Sequence, residues 1–127
     1  MSWQFNNKEP VFVQISKRLQ LDIFDGRYLP DEQIPSVRQL AVEASVNPNT
    51  MQKALTVLEE MGLLYSRGTV GRFVTSDAEI IERARCAMKK EAVRDIMEQA
   101  RAFNITADEL IRYIKEDDDY ERTGIKV

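Results

Sequence analysis

A chain of 127 residues has room for one domain, or for one small domain with an appended element. Hydrophobic residues make up 43% and charged residues 31%, a soluble globular balance, and no apolar run approaches the roughly 18 residues of a membrane span. With no histidine and one cysteine, Cys86, the chain offers no internal disulfide, no usual zinc set and no histidine-assisted nucleophile, and its net charge of −3 gives no general attraction to a polyanion.

The opening MSWQFNNKEP lacks the basic start and apolar core of a secretory leader, so a cytoplasmic location is expected. From Pro10 to Asp25, Phe12, Ile15, Leu19 and Ile23 recur at three and four, which predicts an amphipathic helix ending at Gly26. The stretch GRYLPDEQIP, with two prolines and a glycine, reads as a loop whose Tyr28, Leu29 and Ile34 tuck under the domain.

Ser36 and Gln39 fit a capping box opening a short helix with Val37, Leu40, Ala41 and Ala44 inward. After the tight turn Ser45-Val46, Asn47 can cap a second helix and Pro48 suits its first position. Met51, Ala54, Leu55 and Leu58 form its inner stripe, and the helix ends near Met61-Gly62. Two short helices joined by such a turn are a helix-turn-helix pattern. Two β-prone runs, Leu63 to Arg67 and Arg72 to Thr75, then flank a Gly68-Thr69-Val70-Gly71 turn, a hairpin that makes the pattern a winged helix.

Ser76 to Glu79 reads as a second capping box, opening the longest helix. Its stripe is Ile81, Ala84, Met88, Ala92, Ile96, Ala100 and Phe103, with Asn104 at its end. Thr106 to Glu109 is a third box, with Ile105 and Leu110 spaced as a hydrophobic staple and Leu110, Ile111 and Ile114 on a last helix to about Glu116. The remaining DDDYERTGIKV is a charged tail expected to fray; its aspartates read as solvated, and no metal or cofactor is expected. The long stripe exceeds what so small a domain can cover, so a second copy of the chain is its expected partner. The predicted organisation is a winged helix-turn-helix over residues 1–75 and a two-helix dimerisation region over residues 76–127. The fold class is mostly α with a small β-hairpin wing.

A helix-turn-helix lays the N-terminal part of its second helix against base edges and phosphates in the major groove. Asn47, Asn49 and Thr50 stand at that N-terminus, where free amides and the helix dipole favour a phosphate. Asn49 or Gln52 can pair with adenine, and Lys53 suits a phosphate or a guanine. Arg38 and the wing arginines Arg67 and Arg72, beside Gly68, Thr69 and Gly71, complete a basic rim. Helix capping and solvated surface charge are the plainer readings of the same residues. A winged helix acting as a protein-interaction adaptor is the competing function.

The run IPSVRQLAVEASVNPNTMQKALTVLEEMGLLYSRGTVGRFV resembles the winged-helix DNA-binding domain of the GntR family of bacterial transcription regulators. IPSVRQLA, VNPNT, LEEMGLL and the wing GTVGRFV carry the likeness, which spans about Pro10 to Thr75. The short two-helix tail is similar to that of the family's YtrA branch, where it makes the dimer. The resemblance implies a homodimeric regulator, usually a repressor, on a palindromic operator in double-stranded DNA, often ahead of ABC transporter genes. It also implies DNA contacts at Arg38, Asn49, Thr50, Gln52 and Gly68 to Arg72. Other branches often carry arginine where Pro48 and Gln52 stand here, which shifts phosphate anchoring toward Arg38, Lys53 and the wing. A small-molecule effector, if there is one, would act between tail and DNA-binding domain or on the dimer angle.

Overall fold

The computed structural model describes residues 3–117, so the charged tail from Asp118 onward lies outside the described residues. In chain order the described elements are α1 (Val11–Phe24), α2 (Val37–Ala44), α3 (Pro48–Glu60), β1 (Leu64–Arg67), β2 (Gly71–Val74), α4 (Ala78–Ala102) and α5 (Ala107–Glu116). The fold is mostly helical with one antiparallel hairpin, as the periodicity predicts.

The helix boundaries follow from local chemistry. Ser36 Oγ accepts a bond from the Gln39 amide at 3.1 Å while Gln39 Oε1 accepts one from the Ser36 amide at 2.9 Å, the reciprocal capping box expected there. Thr106 and Glu109 build the same box ahead of α5, at 3.1 and 3.0 Å. At α4 the cap differs from expectation. Asp77 rather than Ser76 accepts the first free amides, those of Glu79 at 3.0 Å and Ile80 at 3.4 Å. A carboxylate one residue closer to the helix satisfies these donors and the helix dipole together, so the Ser76 box does not form.

Four helix ends share one closure. After α1, α2, α3 and α4 a residue with positive φ turns the chain, and the next amide reaches back to the helix: Arg27 to Asp22, Val46 to Ala41, Leu63 to Leu58 and Ile105 to Ala100. Gly26 and Gly62 take the left-handed conformation at little cost, whereas Ser45 (φ 56°) and Asn104 (φ 58°) do so with a Cβ. Ser45 is the turn between α2 and α3, which allows two helices to follow each other with only Ser45, Val46 and Asn47 between them.

The first compact unit extends to Cys86 and is held by one core. Ile15, Leu19 and Ile23 of α1 meet Leu40, Ala41 and Ala44 of α2 and Met51, Ala54, Leu55 and Leu58 of α3, with Leu63, Leu64 and Val74 from the hairpin. Each large side chain so enclosed contributes about 2 kcal/mol by leaving water. Trp3 also enters this core, and Ile80, Ile81 and Ala84 of α4 pack half-buried against it. Of the three loop residues expected inside, Tyr28 and Ile34 are buried but Leu29 is 58% exposed. Its amide, tied to the Glu32 carboxylate at 2.8 Å, belongs to the outer bend of the loop.

That loop is also more ordered than its composition suggests. β1 and β2 pair Leu64 with Val74, Tyr65 with Phe73, Ser66 with Arg72 and Arg67 with Gly71. Residues 31–34 then line the free edge of β2: the Asp31 amide donates to the Val74 carbonyl (2.8 Å), the Val74 amide to Glu32 (2.9 Å) and the Ile34 amide to Arg72 (3.0 Å), with Gln33 opposite Phe73. The wing is therefore backed by a short bridged segment of the loop. Its edge amides and carbonyls are satisfied there instead of by water.

The second compact unit begins at Ala87, within α4. Of its described residues Ala100 is buried, whereas Val93, Ile96, Phe103, Ile111 and Tyr113 are exposed, Phe103 by 78%. Met88, Ile105, Leu110 and Ile114 are half-buried, and Ala92 is exposed. No described helix is long and apolar enough to cross a membrane.

Candidate nucleic-acid interface

The N-terminus of α3 is a polar, outward-facing turn because its inner stripe takes all the apolar positions. Asn47, in extended conformation, accepts the Asn49 amide on Oδ1 at 2.7 Å, and Pro48 fills the first helical position. Asn47 itself is exposed. Asn49, Gln52 and Lys53 are exposed and Thr50 is half-buried, while Met51, Ala54, Leu55 and Leu58 are enclosed. Lys53 holds its ammonium 4.6 Å from the centre of the Phe12 ring, so its stem lies against α1 with the charge at the surface.

Arg38 occupies the first turn of α2, exposed, and forms no ion pair among the described residues. Glu43, a natural partner on the same helix, is taken by Arg27 at 3.3 Å. Arg38, Ser36 and Gln39 form one wall of an open cleft of about 670 Å³; Thr69, Val70 and Gly71 of the wing form another. The cleft thus joins the start of α2 to the tip of the wing.

The wing itself is held from two sides. The Val70 amide closes the turn onto the Arg67 carbonyl at 2.8 Å, leaving Gly68 and Thr69 exposed at the tip. Arg67 is exposed and stacks its guanidinium 4.9 Å from the Phe73 ring centre. Arg72 differs: its Nε donates to Glu59 Oε1 at 2.6 Å, and its side chain is only 17% exposed. Ser66 donates to the other oxygen of Glu59 at 3.0 Å. The Arg72 hydrogen bond, aided by Ser66 and opposed by partial burial, holds the Glu59 carboxyl below its ordinary value. Glu59 lies in the last turn of α3, so this latch fixes the wing against that helix.

Two residues of this arrangement carry no sequence signal. Glu59 reads only as a helix-end charge, and its partner is 13 residues away across a hairpin. Gln33 reads only as loop, yet its Nε2 donates to the Val70 carbonyl at 2.8 Å beneath the wing turn. Among the described residues no group of acidic or cysteine side chains is placed to hold a metal ion.

A helix-turn-helix followed by a buttressed hairpin defines a winged-helix protein whose exposed α3 start, α2 start and wing are the surfaces such folds present to DNA. The model for bacterial regulatory proteins of the gntR family matches residues 12–74, and the chain belongs to that family of transcriptional regulators rather than to any enzyme class. It is 28% identical to the HTH-type transcriptional repressor YtrA of Bacillus subtilis, over 84% of this chain and 83% of that protein. A solved GntR family transcriptional regulator from Listeria monocytogenes is 27% identical, superposes with a TM-score of 0.80, and covers 90% of this chain and all of its own. The AraR DNA-binding domain in complex with its operator ORX1 is 30% identical with a TM-score of 0.54, over 59% of this chain and 95% of that one.

Proposed function

We propose that the protein is a homodimeric repressor of the YtrA branch that binds an inverted-repeat operator in double-stranded DNA. The observation that carries this reading is the combination of an exposed polar α3 start with an Arg38 that has no ion partner among the described residues and shares one cleft with the wing. In this reading Asn49, Thr50 and Gln52 meet base edges, while Arg38, Lys53, Arg67 and the backbone of Gly68, Thr69 and Gly71 meet phosphates and the adjacent groove. The Asn47 side-chain amide adds a phosphate donor at the helix start. Arg72 contributes chiefly by holding the wing through Glu59.

Support for a dimer comes from the described part of the tail, residues 76–117. Ala92 and Ile96 of α4 and Phe103 just after it expose apolar surface, and Met88, Leu110 and Ile114 are half-buried. Ile81 and Ala84 spend part of their surface on the first unit's core, and Ala100 is already enclosed, so the pairing face centres on the later half of α4 and on α5. Two such chains would set their recognition helices about one DNA turn, or a small multiple, apart. Repression, a cytoplasmic location, control of ABC transporter genes and an unidentified small-molecule effector complete the reading by resemblance to the YtrA branch.

The test is selection of bound sequences from a random duplex library by the purified protein at two salt concentrations. One inverted repeat that survives the higher salt is the expected result. Loss of all binding with salt and no common motif would overturn the reading in favour of a protein-interaction adaptor.

A further inference from the structure

We propose that Gln33, from the segment before α2, is the positioning residue of the wing: its carboxamide is a wedge under the wing turn that presents Thr69 and Gly68 to DNA. The proposal rests on the DNA-binding reading above. Three observations converge on this residue. Its backbone lies opposite Phe73 on the free edge of β2. Its Nε2 donates to the Val70 carbonyl at 2.8 Å, a group that a hairpin turn otherwise leaves to water. The third concerns Gly71, whose φ of +142° is one that L side chains rarely adopt, and whose missing Cβ leaves the Gln33 Nε2, 2.7 Å from where that Cβ would stand, in place without a shift.

The physical consequence is preorganisation. Gly68 (φ +46°) and Gly71 make the turn intrinsically loose, and β1 and β2 are four residues each. Arg72 is latched to Glu59, but that latch lies before the turn, at the Ser66 and Arg72 rung of the ladder. Beyond it, among the described residues, the wing turn has one side-chain bond from outside the hairpin, that of Gln33. A turn that is already ordered loses less entropy on meeting DNA, so the wedge acts on affinity through the wing without touching the duplex.

The experiment compares the full-length protein with Gln33→Ala and Gln33→Glu, the latter retaining shape but setting a carboxylate against the Val70 carbonyl. Amide hydrogen exchange of the wing in the free protein, thermal melting, and affinity for the selected duplex are measured for each. Faster exchange at Val70 and Gly71 with a melting temperature lowered by no more than a few degrees, and a loss of about fivefold in affinity per subunit, are expected for the loss of one hydrogen bond. In a double-mutant cycle, Thr69→Ala should cost less in the Gln33→Ala background than in the wild type, because Gln33 works through the wing tip. Additive losses, or wing exchange unchanged by either substitution, would overturn the proposal. Failure of the wild type itself to select any duplex would instead overturn the DNA reading, and wild type and variants would then fail alike.

Discussion

Replacing Arg38 with alanine removes an exposed cation from the first turn of α2 without breaking an ion pair among the described residues. Helix propensity is nearly unchanged and no buried group loses a partner, so melting should move little. If Arg38 neutralises one phosphate per subunit, the salt slope of binding falls by about 0.9 for each subunit that is changed. Between about 50 and about 200 mM salt, that difference narrows the gap between wild type and variant about 3.5-fold per subunit, or about 12-fold for a dimer. Fluorescence anisotropy of the selected duplex across that range measures it directly. A gap that stays constant with salt would refute the phosphate role, whatever the size of the affinity loss.

Glu59→Gln should loosen the wing at a cost of about 1 kcal/mol, a charge-assisted bond discounted for its partial exposure. Because the folded carboxyl titrates below its ordinary value near 4.5, its stabilisation is present above that value and is lost as pH falls through the lowered one; melting curves of wild type and variant should therefore converge in acid, and parallel curves would contradict the latch. Ser45→Gly should raise stability by up to about 1 kcal/mol by relieving the left-handed strain in the turn between α2 and α3, and a lower midpoint in chemical denaturation would show that Ser45 is not strained. Phe103→Asp, at a side chain 78% exposed, should leave the melting of the DNA-binding unit unchanged and shift sedimentation from dimer to monomer with loss of most operator affinity; an unchanged sedimentation coefficient would remove Phe103 from the pairing face.

The helix starts and stops were readable because they are set within a few residues. Ser36 with Gln39, Thr106 with Glu109, Asn47 before Pro48, and Gly26 and Gly62 each solve a local problem of unpaired backbone groups. The Ser76 box failed for the same kind of reason, since Asp77 is a stronger acceptor one step closer to the same amides. Leu29 misled because hydrophobicity predicts burial only where a partner surface exists, and its bend faces outward.

The residues of the candidate interface were legible from their place in the pattern: polar positions left over on α3 once Met51, Ala54, Leu55 and Leu58 had taken the inside. What each does there was less legible. Arg38, Arg67 and Arg72 look alike in sequence, yet Arg38 has no ion partner among the described residues, Arg67 lies on Phe73, and Arg72 is bound to Glu59. The amino-acid order alone determined the helix-turn-helix, the hairpin and the two-helix tail, because periodicity and capping are interactions between near neighbours. Only the tertiary structure decided that Gln33 and residues 31–34 buttress the wing and that Glu59 latches it, since those contacts join residues 13 to 43 positions apart whose meeting depends on the assembled core.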